Sequence, residues 1–117
     1  MTPPSPAELR AGVWALRSLR RARRSLHRDP LAAPPLVPPA ALPAAGERGV
    51  EVVLGRRGAT CLERAAVRQV WLAAHGRRHD LVIGVRPPPA FAAHAWLDGD
   101  AGSTGDGYVE LVRRPSP

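Results

Sequence analysis

The chain has 117 residues and a formal charge of +7 at neutral pH, with 17 arginines, no lysine and ten acidic residues. This length suits one small domain with a short extension. It contains neither an apolar run near the roughly 20 residues of a membrane span nor an amino-terminal signal pattern, so we expect a cytoplasmic protein without a membrane anchor.

The basic charge predicts an acidic protein or peptide as partner. We expect no nucleic acid, because the arginines are not interleaved with aromatic side chains that would stack on bases. Cys61 is the only cysteine, which excludes an internal disulfide and a zinc site built from several thiolates. Cys61, His75 and His79 are of residue types that bind metal ions, but the sequence offers no evident fourth ligand to complete a site. We therefore predict neither a metal site nor a cofactor.

Residues 1–29 predict a basic amphipathic helix. Its apolar residues recur every three or four positions, and seven arginines occupy much of the remaining surface. The apolar stripe consists of Leu9, Val13, Leu16, Leu19, Ala22 and Leu26. Two interpretations remain open: a solvated basic face on a helix packed against its own domain, or a docking surface for a partner protein or an acidic peptide. Trp14 lies off the centre of the stripe and is expected to contact a partner.

Residues 30–46 predict an extended linker rich in proline and alanine, because its six prolines are incompatible with a helix or with the interior of a sheet. The predicted folded core covers residues 47–114 and is followed by a tail at 115–117. Within the core, GVEVVLGRR at residues 49–57 fits either a short helix or a strand.

The clearest local signal in the chain is TCLERAAVRQVWLAAHG, residues 60–76. Thr60 and Glu63 have the spacing of a capping box, in which each side chain bonds the other residue's backbone amide. Gly76 can adopt the left-handed conformation that ends a helix. The predicted helix therefore begins at Cys61.

Three strands are predicted after this helix, at residues 81–85, 92–98 and 106–112. Turn-forming residues separate the last two, and the turn should centre near Gly102. We expect an antiparallel meander in which the second and third strands form a hairpin.

Cys61 and His94 are the candidate nucleophile and base. The unpaired amides and the dipole at a helix start favour an anion, which is where a reactive thiolate is stabilised. The Cys61 amide itself could also stabilise an oxyanion. His94 lies on a predicted strand, where it shares one face with Trp96. A histidine beside a cysteine can take the thiol proton and so generate the attacking thiolate.

The segments TCLERAAVRQVWLAAHG, LVIGV and FAAHAWLDGD closely resemble the transglutaminase-like leader peptidases of lasso-peptide biosynthesis, in the stand-alone form of the lasso maturation B protein. The likeness runs from Arg57 to about Asp100 and includes Cys61 and His94. It implies an α+β protein with an abbreviated papain/transglutaminase-like fold. In that fold the nucleophile helix packs on a small antiparallel sheet, here preceded by the basic amphipathic helix.

The resemblance implies a cysteine peptidase with a Cys–His–acid triad, which removes the leader from a ribosomally synthesised precursor peptide. The partners it implies are the precursor leader, a separate small leader-recognition protein and an asparagine-synthetase-like macrolactam cyclase. From a different functional class, the alternative is a non-catalytic adaptor that uses the transglutaminase-like scaffold to bind an acidic protein or peptide.

The acid of the triad has two candidates. In the family it often stands 12 residues after the histidine, which points to Asp106. The expected hairpin instead places Glu110 directly across from His94. Asp98 and Asp100 are expected to be solvated turn residues. Glu110 and Asp106 therefore both remain candidates.

Overall fold

The computed structural model of the chain describes residues 2–89, 91–101 and 104–117. Within these residues the elements, in chain order, are α1 (Pro6–Arg28), a 3-10 turn (Ala44–Gly46), α2 (Glu47–Arg56), α3 (Cys61–Ala74), β1 (Leu81–Arg86), β2 (Ala92–Leu97) and β3 (Val109–Arg114). This arrangement confirms the predicted α+β class, with α3 packed on a small antiparallel sheet. The stretch that fitted either a helix or a strand forms most of α2.

Helix α1 begins with Ser5 as its N-cap, and Glu8 completes a capping box. Its buried residues are Ala11, Ala15, Ser18, Leu19, Ala22 and Leu26. Leu9 and Val13, which belong to the predicted apolar stripe, are 57% and 52% exposed. The face turned inward is the one with small side chains, because α2 packs closely against it. Although α1 is long, no helix among the described residues is both long and apolar enough to cross a membrane.

Glycines allow α1 and α2 to touch through their backbones. A Cβ atom on Gly49 would collide with the carbonyl oxygen of Glu8. One on Gly46 would lie only 2.8 Å from the carbonyl oxygen of Ala7. The close contact joins α1 to the same core as α3 and the sheet, so its inner face is covered by its own chain.

The proline-rich segment before the 3-10 turn has no helix or strand among its described residues, as its composition predicts. It nevertheless packs along the helices. The Trp14 indole donates a hydrogen bond to the Val37 carbonyl at 2.9 Å and packs against the Trp71 ring at a tilt of 47°, with ring centroids 5.5 Å apart. Trp14, expected to contact a partner, is thus engaged within the chain. The His75 ring similarly lies 2.8 Å from the Leu42 carbonyl.

Helix α3 has the predicted ends. Thr60 is the N-cap, both hydrogen bonds of the capping box with Glu63 are present, and the first helical residue is Cys61. Gly76, with φ of 77°, follows the helix in the left-handed conformation. The buried residues are Ala65, Ala66, Val67, Gln69, Trp71 and Leu72. They lie on more than one side of α3, because α1 covers part of the helix and the sheet covers another part.

The strand order is β2–β1–β3, and both pairings are antiparallel. The expected hairpin between the second and third strands is wrong, since these strands flank β1 instead of pairing with each other. Leu81 and Val82 of β1 are almost completely buried, whereas β3 is largely exposed. A strand apolar on both faces is stable in the centre, and a charged strand suits an edge. Gly102, where the turn was expected, lies outside the described residues.

The contact between α1 and α2 predicts opposite effects for alanine at two glycines of α2. Gly49→Ala should lower the free energy of unfolding by about 2–4 kcal/mol, because its Cβ overlaps the Glu8 backbone. Gly55→Ala is the matched control: nothing lies within 4 Å of its Cβ position, so stability should be unchanged or rise by up to about 1 kcal/mol. Urea unfolding followed by far-UV circular dichroism measures both; equal effects would contradict the close helix contact.

Candidate active site

Cys61 and His94 line one cleft, which lies between the α2–α3 pair and the edge strand β2 and has a volume of about 440 Å³. The other residues lining it are Glu47, Glu51, Arg64, Ala65, Arg68, Ala95 and Leu97. Arg64, Ala65 and Arg68 follow Cys61 at helical spacing, so one face of α3 forms a wall of the cleft. The two residues expected to carry the chemistry therefore border the same space.

The exposed thiol of Cys61 stands at the first position of α3. The capping box uses the backbone amides of Thr60 and Glu63, at 3.0 and 3.1 Å. The amides of Cys61 and Leu62 lie in the first turn, where a helix has no internal acceptor for them. The cysteine therefore stands beside backbone donors and the positive end of a helix dipole, both of which favour an anion.

The Glu63 carboxylate also connects the first turn of α3 to α1. Its Oε1 atom accepts a hydrogen bond from Arg23 Nε at 3.1 Å, in addition to the bond from the Thr60 amide. Arg23 also donates to the Arg57 carbonyl at 2.6 Å, just before α3. The sequence showed Arg23 only as one of several arginines on a basic helix. In the structure, it fixes the segment that carries Cys61.

His94 is half-buried and packs in an aromatic cluster. Its ring stacks on Trp96 with a centroid separation of 5.8 Å and an interplanar angle of 20°, and it lies 5.1 Å from the Tyr108 ring. Ala95, with the opposite orientation, belongs to the core beneath α3. Among the described residues no hydrogen bond joins His94 to Cys61. His94 borders the cleft from the edge strand while its ring contacts the aromatic side chains.

Glu110 does not lie opposite His94, because Gly84 of β1 pairs with both residues. Two strand spacings separate their backbones, about 10 Å. The Trp96 ring fills the space over Gly84, where a Cβ atom would meet it at 2.8 Å. The Glu110 carboxylate accepts two hydrogen bonds from Arg113, at 2.7 and 3.2 Å. These bonds lower the pKa of Glu110 below its usual value and commit its charge to Arg113.

Asp106 is exposed and lies in a turn just before β3. The Tyr108 amide donates to the Gly105 carbonyl at 3.0 Å and closes this turn. Gly105 packs so tightly on Trp96 that a Cβ atom there would overlap the indole ring. Tyr108, on the other side of Asp106, contacts His94. Gly105, directly before Asp106, thus packs on the aromatic cluster and Tyr108, two residues after it, belongs to that cluster, so the turn lies on the same face of the sheet as the histidine.

An ion-pair network ties three parts of the cleft together. Glu51 of α2 accepts hydrogen bonds from Arg64 and Arg68 of α3, at 2.9 and 2.7 Å. Arg68 also donates to Asp100, after β2, at 2.6 Å. Burial opposes the ionisation of Asp100, but the hydrogen bond and charge of Arg68 outweigh it and lower the pKa of this carboxyl. Asp100, expected to be a solvated turn residue, is instead a partly buried member of the network.

Two other histidines, His75 and His79, bond to backbone carbonyls. Both His75 ring nitrogens face backbone carbonyls, those of Trp71 and Leu42. The Nδ1 atom of His79 lies 2.9 Å from the Asp98 carbonyl. In the part of the chain that the structure describes, no group of three or more His, Cys, Asp or Glu side chains is arranged to hold a metal ion.

Nearly the whole chain matches the model of one known protein family. A family model described as the transglutaminase-like superfamily matches residues 6–114, which includes α1, the proline-rich segment, α3 and all three strands. No individual curated protein and no solved structure shows a significant match. Because the family match spans nearly the whole sequence, this chain belongs to the transglutaminase-like superfamily.

Proposed function

We propose that this protein is a cysteine peptidase that removes the leader from a ribosomally synthesised precursor during lasso-peptide maturation. The superfamily commonly provides a scaffold of the cysteine-protease type. The observation that carries the proposal is the shared cleft, where Cys61 at a helix start and His94 on a strand border the same space. The sequence motifs around these two residues, which resemble those of leader peptidases, narrow the substrate to a leader–core peptide.

The proposed reaction is acyl transfer to water. His94 takes the proton of the Cys61 thiol, and the thiolate attacks the carbonyl carbon of the peptide bond between leader and core. The amide of Cys61 donates to the resulting oxyanion. His94 then protonates the departing core amine, and the leader remains bound as a thioester. A water molecule, deprotonated by His94, hydrolyses this thioester and releases the leader with a free carboxylate.

Asp106 is the acid that we assign to orient His94. Its turn packs on the same aromatic cluster as the histidine, and its spacing from His94 matches the one common in the resembling family. Among the described residues, Asp106 forms no ion pair. Glu110 is the weaker candidate because Arg113 binds its carboxylate and the Trp96 ring lies between it and His94.

The proposal includes three partners: the precursor leader, a small leader-recognition protein that presents it, and the macrolactam cyclase that acts on the released core. We place the reaction in the cytoplasm, where a single cysteine stays reduced. The 440 Å³ cleft is small for a long peptide, so we assign most of the recognition of the leader to the partner protein.

The second candidate function is a non-catalytic adaptor that binds an acidic protein or peptide. The packing of the His94 ring against Trp96 and Tyr108, without a hydrogen bond to Cys61 in the described residues, favours it. Against it, catalytic hydrogen bonds are often long or incomplete until substrate binds.

Alkylation of Cys61 tests the pairing with His94 without any substrate. Because the chain has one cysteine, the rate of reaction with iodoacetamide reports that thiol alone. At neutral pH, His94→Gln should slow alkylation roughly tenfold or more, since no imidazole remains to take the thiol proton. His27→Gln, an exposed histidine on α1, is the matched control; equal slowing by both variants would contradict the pairing.

Cleavage of the precursor encoded in the same gene neighbourhood, with its leader-recognition protein present, tests the activity itself. Wild-type protein should yield free leader and core, and Cys61→Ala should yield neither while still binding the partner. Mass spectrometry identifies the products, and size-exclusion chromatography follows the binding. Retained cleavage by Cys61→Ala would refute the peptidase, and intact binding without wild-type cleavage would favour the adaptor.

The same cleavage reaction separates the two acids. Asp106→Asn should lower kcat/KM on the order of 100-fold, because the imidazole loses its orientation and the support for its charged form. Glu110→Gln should change kcat/KM less than about threefold, since it mainly weakens an exposed ion pair. Thermal unfolding curves of both variants control for stability. The reverse order of effects would assign the role to Glu110.

A further inference from the structure

The face that α1 and α2 present to solvent contains an apolar groove of about 430 Å³. Leu9 and Val13 of α1 and Val52 of α2 line it, and their exposed fractions are 57%, 52% and 39%. The inner face of α1 is already covered by the core of the chain itself. These outward side chains are thus apolar surface that folding does not cover.

Arginines flank this groove. Arg48 and Arg56 line it and stand one helical turn on either side of Val52. On α1, the exposed Arg17 and Arg20 follow Val13 at four and seven positions and continue the same side of the helix. Among the described residues none of Arg17, Arg20 and Arg56 forms an ion pair. The apolar surface is therefore bordered by free positive charge.

The acidic residue in the groove offers little opposing charge. The Glu8 carboxylate accepts a hydrogen bond from the Ser5 amide at 3.1 Å and lies 3.8 Å from Arg48. Its lowered pKa is caused first by the bond with the Ser5 backbone. Glu8 is thus occupied by the N-cap of α1, and the free charge around the groove is positive.

We infer that this groove binds an acidic amphipathic helix of a partner protein. Its lining at positions 9, 12, 13 and 16 of α1 and 48, 52 and 56 of α2 follows helical spacing over about two turns, roughly 10–12 Å. A helix with apolar side chains at matching positions and carboxylates on either side satisfies both the apolar strip and the arginines.

The groove and the Cys61 cleft share a wall. Helix α2 contributes Glu47 and Glu51 to the cleft, and Val52 with its flanking arginines to the groove. The two sites are therefore separated by about one helix diameter, roughly 10 Å. A partner docked in the groove would lie close enough to pass a peptide into the cleft, and this step alone rests on the proposed peptidase function. Binding in the groove does not depend on that function.

A labelled synthetic peptide tests the inference, with leucines every three or four positions and glutamates on both flanks. Fluorescence anisotropy should show binding that Val13→Glu and Val52→Glu each weaken by at least about tenfold. Val109→Glu, the same change at a similarly exposed valine on β3, should bind like the wild type.

Arg56→Glu should weaken binding of the glutamate peptide but not of a version with glutamine in place of glutamate. Cys61→Ala should bind with unchanged affinity, which separates this result from the fate of the peptidase proposal.

Three results would overturn the inference. One is equal binding by Val13→Glu and the wild type. Another is equal or tighter binding of a peptide with lysine in place of glutamate. The third is concentration-dependent self-association in sedimentation velocity that Val13→Glu abolishes, which would identify a second copy of the chain as the occupant. Circular dichroism of each variant verifies that the exposed substitutions leave the fold intact.

Discussion

One carboxylate, that of Glu63, determines where the candidate nucleophile stands. Its Oε1 atom accepts from the Thr60 amide and from Arg23, so a single oxygen caps α3 and binds α1 to its first turn. The side chain is 14% exposed, and in such a site the bond from a guanidinium is stronger than one in open water. Cys61 adjoins this cap, and its position therefore depends on α1.

The arginines serve two distinct purposes. Arg23, Arg64, Arg68 and Arg113 form ion pairs that connect elements distant in sequence. A domain of this size buries a modest fraction of its surface, so cross-links made by planar, multiply donating side chains supplement a thin apolar core. Of the arginines at the outer groove, Arg48 lies 3.8 Å from Glu8, whereas Arg17, Arg20 and Arg56 have no such partner in the described residues. The excess positive charge is consequently concentrated on the outer surface of α1 and α2, away from the neutralised walls of the cleft.

Local signals predicted the structure where the interactions are local. The capping box of Thr60 and Glu63, the left-handed Gly76 and the start of α3 at Cys61 all involve residues within a few positions, and all are confirmed.

The strand order was wrong because it depends on which strand is buried on both faces, a property of the whole sheet. The predicted pairing of Glu110 with His94 was wrong for the same reason, since both residues pair with Gly84 of β1. Asp100 and Arg23 could not be paired in advance, since their partners lie 32 and 40 residues away. The second half of the α1 stripe is buried, at Leu19, Ala22 and Leu26, but Leu9 and Val13 at its start are exposed. There the glycines of α2 select the face of α1 with small side chains.

The aromatic cluster around His94 is compatible with a catalytic imidazole because stacking and hydrogen bonding use different parts of the ring. Trp96 stacks on a face of the His94 ring and Tyr108 packs against that ring at a tilt of 41°, whereas both imidazole nitrogens lie on the ring edge. This packing restricts the rotation of the imidazole ring and leaves both of its nitrogens available for hydrogen bonds. In the proposed reaction the electron-rich faces would also attract the imidazolium that forms when His94 takes the thiol proton, although Arg86, 4.8 Å above the Tyr108 ring, competes for that attraction. An acid at Asp106 would then add orientation of Nδ1 to a ring whose plane the aromatic residues already restrict. If Asp106 acts as proposed, the positioning usually ascribed to the third triad member would be divided between this carboxylate and two aromatic side chains.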